Sequence, residues 1–181
     1  HRPSVLGMIA MFAPLGFILF MSFASQRSSA SALQSMFWVF CAVMGISMSS
    51  IFMCFTGASI ANSFFVVGAM FAGTSLWGYT TKADLTKMGS FLMMALIGII
   101  IAGIVNMFLM SSMLHFITSV LGVVIFVGLT AWDTQRIKDN YSESFGQEVN
   151  DKMAVLGALN LYLNFINLFQ YMLQFMGVRR D

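Results

Sequence analysis

Charge is the scarcest property of this sequence: 9% of its residues are Asp, Glu, Lys or Arg, where soluble domains carry roughly a quarter. With 59% of 181 residues hydrophobic, too few charges remain to cover a water-soluble core, and a water-soluble domain is excluded. A net charge of +2 with no basic stripe interleaved with aromatics excludes a nucleic-acid partner. Cysteine is nearly absent as well. Cys41 and Cys54 stand thirteen residues apart in one apolar run, a separation of about 20 Å along a helix. A disulfide between them is therefore excluded, and both are expected to be small buried apolar side chains with no redox role. His115 has no second His or Cys nearby, so it is expected at a surface turn rather than on a metal. Gly73-Thr74-Ser75-Leu76 and Gly57-Ala58-Ser59-Ile60 lack the glycine that follows the nucleophile in intramembrane serine proteases, and no nucleophile–base pair stands elsewhere. Neither an enzyme nor a resident cofactor is expected. The chain opens His1-Arg2-Pro3 without an initiator Met or a signal peptide, so it is expected to begin within a longer protein.

What the sequence has in abundance is long apolar runs, and its mean hydropathy is +0.84. Six are readable: Val5 to Ser25, Leu33 to Phe55, Ala58 to Tyr79, Met88 to Met110, Leu114 to Trp132 and Met153 to Met176, labelled A to F. A hydrocarbon core about 30 Å thick takes about twenty residues of helix to cross. The runs have that length and no alternating period, and helices are the spanning form that satisfies its own backbone hydrogen bonds. One all-α membrane helix bundle spanning residues 1–181 is the expectation, with the lipid bilayer as its solvent. Pro14 is expected to kink A. Gly98 and Ala102 form a small-xxx-small pair that permits close helix contact in D. Trp77 and Trp132, near run ends, read as interfacial anchors.

The connections carry the topology. Arg27 follows A, Lys82 and Lys87 follow C, and Arg136, Lys138 and Lys152 follow E, whereas the B–C turn at Thr56-Gly57 and the D–E turn at Ser111-Ser112 hold no Lys or Arg. The positive-inside rule places the charged loops in the cytoplasm. A then starts outside. Arg179 and Arg180 break the pattern: either F is re-entrant or the tail is an exception to the rule.

Two features carry candidate chemistry. F contains Asn160, Asn164, Asn167, Gln170 and Gln174, and all but Gln170 share one helical face. Amides facing lipid are costly unless paired, so the stripe is expected to turn inward and make F the central helix. It serves either to clip F to its neighbours or to line a polar path. The second feature is Asp133, at the end of E within Ala131-Trp132-Asp133-Thr134-Gln135-Arg136. A carboxylate at this depth can titrate or bind a hard cation such as calcium. Alternatively it is an interfacial Asp paired with Arg136 or Lys138.

The segments Ala131-Trp132-Asp133-Thr134-Gln135-Arg136-Ile137, Gly157-Ala158-Leu159-Asn160-Leu161-Tyr162-Leu163-Asn164-Phe165-Ile166-Asn167-Leu168-Phe169 and Tyr79-Thr80-Thr81-Lys82-Ala83-Asp84-Leu85 resemble the Bax inhibitor-1 family, most closely its bacterial members. The resemblance covers the whole chain. It implies a seven-helix bundle whose last helix is enclosed by the others, with a first helix that has no counterpart here, in the bacterial inner membrane. It also implies a pH-sensitive calcium leak governed by two aspartates on the last two helices. One matches Asp133, and the other falls at Asn164, where this sequence departs from the family. Two close carboxylates share a proton and titrate as a unit, which an Asp–Asn pair cannot do, so a blunted pH response is expected. Arg27 matches an arginine that latches onto the aspartates in the closed state, or it is an ordinary topology charge. Some bacterial relatives are thought to restrain a membrane-bound quality-control protease, which makes a non-conducting regulator the alternative. Asp133 lies nineteen residues along E and Asn164 eleven into F, so the two meet only if both helices overshoot into the polar stretch from Thr134 to Lys152.

Overall fold

A computed structural model describes residues 16–180. The described residues are helical nearly throughout, with no β-strand among them: residues 16–24 (α1), Ala30–Met48 (α2), Ile51–Cys54 (α3), Gly57–Thr80 (α4), Thr86–Leu109 (α5), Ser112–Asn140 (α6) and Gln147–Met176 (α7). Five helical stretches among the described residues have the length and apolar composition to cross a membrane: Ala30–Cys54, Gly57–Thr80, Thr86–Leu109, Ser112–Asn140 and Gln147–Met176. The expected all-α membrane bundle is what the chain forms. The start of run A, with Pro14, lies outside the described residues. Run B is broken at Ser49 and Ser50 into α2 and α3. Runs E and F extend well past their apolar limits, to Asn140 and back to Gln147. At 1.5 Å per residue α6 and α7 are about 43 and 45 Å long, so each outruns the hydrocarbon core by more than 10 Å or so.

The described residues divide into two compact units, 16–51 with 141–159 and 52–140 with 160–180. In the first, Ser29 caps α2 by accepting from Ala32 N–H, and the N–H of Ala30 donates to Glu148 Oε1 at 2.8 Å. That bond ties the start of α2 to the start of α7 and satisfies one of the donors a helix leaves free. Met21 and Leu33 are fully buried, and Phe17 stacks on Phe40 with ring centroids 4.5 Å apart. Asn150 Nδ2 donates to the carbonyls of Ser142 and Phe145, shaping the loop before α7.

In the second unit α6 packs closely against both α4 and α5 and buries ten residues. Glycines set these approaches. A Cβ at Gly78 would collide with the backbone of Ala131, one at Gly89 with the Trp132 ring, and one at Gly128 with Leu92. The expected close contact at Gly98 is not made among the described residues, since a Cβ there would meet none of them within 4 Å. Small residues permit close packing only where a neighbour stands opposite. The second half of α7 buries Leu163, Asn164, Leu168, Phe169, Met172 and Leu173. Its Phe165 meets Phe64 and Phe71 of α4 edge-on, and Tyr171 stacks on Phe126 of α6. The closest packing in this unit is that of α6, and the second half of α7 joins α4 and α6 through buried side chains.

Two ends have specific closures. Helix α5 ends at Met110 in the left-handed region, φ 50°, an uncommon conformation for a side chain of this size. Asn106 offsets it by accepting Met110 N–H at its carbonyl and Ser111 N–H at its side chain. Helix α7 runs unbroken to Met176, so a re-entrant hairpin is not formed. The tail turns back over the B–C turn: Thr56 N–H donates to Val178, Arg180 N–H to Cys54, and Arg180 Nη1 to the Phe52 carbonyl at 3.2 Å. Arg179 and Arg180 are thereby held at that turn. Neither cysteine is the buried side chain expected: Cys41 is half-buried and Cys54 exposed.

Candidate functional site

The six residues from Ala131 to Arg136 close one end of the second unit, each through its own contact. Ala131 lies against Gly78, and Trp132 lies over Gly89. Trp132 is therefore packed between helices and is half-buried, unlike Trp77, whose exposure of 50% suits an interfacial anchor. Thr134 bonds back to the Thr130 carbonyl, and Arg136 stands over the Trp132 ring, 5.4 Å from its centroid. Gln135 is 7% exposed and clasps the loop between α4 and α5 from both sides. Its Oε1 accepts Leu85 N–H at 2.9 Å and its Nε2 donates to the Ala83 carbonyl at 2.8 Å. Lys138 continues the seam, donating to the Tyr79 carbonyl at 2.9 Å. A cluster of polar groups is thus held at one end of α4, α5 and α6 with its hydrogen bonds made, as burial demands.

Asp133 is at the centre of this segment. It is 7% exposed, and its Oδ2 accepts a 2.7 Å hydrogen bond from Nδ2 of Asn164, itself 6% exposed. The helix overhangs explain how they meet: Asp133 is seven residues from the end of α6, about 10 Å, near the limit of the apolar span. The interfacial ion pair is not formed. Among the described residues Asp133 has no cation within 4 Å; Lys138 pairs with Asp139 and Arg136 lies on Trp132. A carboxylate bonded to an amide gains a strong charge-assisted bond, but the amide brings no opposite charge. The pair is polar and buried, and no cation among the described residues contacts it directly, which is an arrangement that can receive a cation.

The amide stripe of α7 is not one continuous feature. Asn164 alone of the five is buried. Asn167 is half-buried and donates to the Leu163 carbonyl of its own helix, and the exposed Gln174 accepts from Ser119 Oγ at 3.4 Å. Asn160 and Gln170 are half-buried. Spacing placed four of these on a face but did not tell which would meet a partner. Arg27 lies in the first unit, exposed in the turn that follows α1. His115 is half-buried within α6 rather than on a surface turn. Among the described residues no group of three or more His, Cys, Asp or Glu gathers as a metal site, so Asp133 is a single carboxylate and not part of an acidic cage. Gln135 is the residue that sequence reading passed over. A buried-side amide following Asp133 by two positions, facing the loop of the third motif, was its one signal.

Comparison with known proteins agrees along the whole chain. The family model described as inhibitor of apoptosis-promoting Bax1 matches residues 1–181. The chain is 49% identical over 97% of its length to an uncharacterized protein of Rickettsia prowazekii, covering 74% of that protein. It is 42% identical over 99% of its length to the inner membrane protein YbhL of Escherichia coli, covering 77% of it. An uncharacterized membrane protein of Streptococcus pyogenes is 35% identical over 88% of the chain, which covers 69% of that protein.

Proposed function

The chain belongs to the Bax inhibitor-1 family, and from that premise we propose that it is a cation leak path of the bacterial inner membrane, with calcium as the ion carried. The observation that carries this reading is the buried Asp133 held by Asn164 at 2.7 Å, with no cation within 4 Å of it among the described residues. A lone carboxylate inside a membrane helix bundle is expensive, and such groups mark ion and proton routes. In the closed state the Asn164 amide occupies the carboxylate oxygen that an ion would use. Passage exchanges that hydrogen bond for an oxygen ligand to a hard cation, so conduction is a competition between Asn164 and the ion for Asp133. One carboxylate binds calcium weakly, which suits a leak: an ion that binds weakly also leaves.

The loops carrying Arg27, Lys82, Lys87, Arg136, Lys138 and Lys152 are the cytoplasmic ones in this reading. Its support within the second unit is that Gln135 and Lys138 at the end of α6 bond to Ala83, Leu85 and Tyr79 at the loop between α4 and α5, so those two sets of charges share an end. Because Asn164 carries no proton to exchange, the pair lacks the shared-proton step of two carboxylates and its pH response is blunted.

Reconstitution into calcium-impermeable vesicles tests the reading. Wild-type protein is expected to pass calcium above the empty-vesicle background, and Asp133→Asn to lose about tenfold or more of that flux, as a lost charge–ligand contact implies. Flux no greater than from empty vesicles, together with co-purification of a membrane protease, replaces the leak with a non-conducting regulatory role.

A further inference from the structure

Hydroxyls in membrane helices are ordinarily hidden by bonding back to the carbonyl four residues earlier. Thr74, Thr80, Ser90, Thr130 and Thr134 all do so here, at 2.6 to 3.1 Å. Ser75 does not. Its Oγ is buried yet has no hydrogen-bond partner among the described residues. Buried polar atoms of this kind are rare in folded proteins, and each asks for an explanation.

Its place in the second unit supplies one. Ser75 follows Phe71 by four residues and precedes Gly78 by three, so all three share one face of α4. Gly78 rests on the backbone of Ala131, two residues before Asp133. Phe71 meets the ring of Phe165, the residue after Asn164, with centroids 5.4 Å apart. Contacts to chain neighbours of the Asp133–Asn164 pair, Ala131 and Phe165, therefore bracket Ser75 by one helical turn on either side. Because α4 and α6 both run toward the 81–85 loop, the unbonded hydroxyl lies about 7 Å deeper in the apolar span than the buried carboxylate, five residue steps along the helices.

We propose that Ser75 is the third polar group of the cation path, its hydroxyl oxygen taking the ion or its water shell as the ion moves between Asp133 and the middle of the apolar span. A hydroxyl oxygen is a neutral ligand of the kind hard cations accept, and it has lone pairs to give because no carbonyl or side chain among the described residues engages the group. The negative Asp133 makes the occupant a cation rather than an anion. This role rests on the leak reading above.

The test compares wild type, Ser75→Ala, Ser75→Thr and Asp133→Asn by calcium flux into vesicles of phosphatidylethanolamine and phosphatidylglycerol loaded with a calcium-reporting dye, alongside thermal melting of each protein. Ser75→Ala is expected to lower flux about three- to tenfold, the loss of one ligand oxygen, and Ser75→Thr to keep at least about half of it by retaining the hydroxyl. The melting temperature of Ser75→Ala is expected to stay level or rise, because no protein hydrogen bond is removed. Wild-type flux in Ser75→Ala, beside a loss in Asp133→Asn, overturns the role of Ser75 and leaves the leak reading standing. A fall in both flux and melting temperature that Ser75→Thr does not rescue assigns Ser75 to packing and overturns the proposal. Wild-type flux no greater than from empty vesicles overturns the leak reading and this role together.

Discussion

Two polar insertions interrupt the apolar helices of the second unit, and they are built differently. From Ala131 to Arg136 in α6 every residue has a contact of its own, four of them to other elements: Gly78, Gly89, Asn164 and the 83–85 loop. Along α7 the five amides from Asn160 to Gln174 share the same chemistry, but Asn164 is the one that is buried and bonded across helices. The difference teaches that helical spacing ranks faces and not partners. A polar side chain acquires weight where a facing helix comes close, and closeness in this unit is set by glycines on the neighbours of α6.

Substitutions can break or sharpen that contrast. The largest effect is expected from Gly78→Leu, which forces side-chain atoms into the Ala131 backbone. Overpacking of a well-filled contact costs about 1–3 kcal/mol and more when backbone must move, so about 3 kcal/mol or above is expected as a lowered melting temperature and poor yield. Gly98→Leu, where nothing stands within 4 Å, is expected to leave stability unchanged; equal losses at the two glycines would erase the distinction. Next is Gln135→Ala, which leaves the Leu85 N–H and the Ala83 carbonyl without their partner. Stranded backbone groups cost about 1–3 kcal/mol, so a loss of about 2 kcal/mol is expected, with faster proteolysis of the 81–85 loop. Asn164→Ala is expected to cost about 1 kcal/mol and Asn167→Ala less than about 0.5, in line with membrane side-chain hydrogen bonds. A reversed order would show the α7 stripe to be a connected feature after all.

The smallest effect concerns the edge of the same end. The hydroxyl of Thr86, with its backbone N–H, holds the carboxyl of Asp84 below its ordinary value of 3.8. A depressed acid adds stability above its ordinary value and loses it as pH falls through the folded one. The first turn of α5 is therefore expected to loosen only in strong acid, and Asp84→Asn to remove that acid-side change; hydrogen exchange at Thr86 and Lys87 reads it.

Much of this was legible in the sequence. Long apolar runs with few charges dictate membrane helices, and three short segments carry the family resemblance that pairs Asp133 with Asn164. The overshoot of α6 and α7 was readable because Thr134 to Lys152 is polar enough to stay helical in water. Other features were not. Gly98 and Gly78 look alike in one dimension, and only the packing of α6 decides which is covered. The burial of Asp133 away from Arg136 and Lys138 was equally hidden, since those cations find Trp132, Tyr79 and Asp139 instead. Gln135 was overlooked because a lone glutamine after a carboxylate gives no sign that a loop backbone fifty residues earlier will come to meet it.

The account turns on one carboxylate governed by an amide where a second carboxylate would share its proton. Calcium flux from reconstituted vesicles, measured against pH for wild type and Asn164→Asp, tests this most directly. The account predicts a shallow profile for wild type between about pH 5 and 8 and a steep one for Asn164→Asp, whose paired carboxylates titrate as a unit. Superimposable profiles would contradict it.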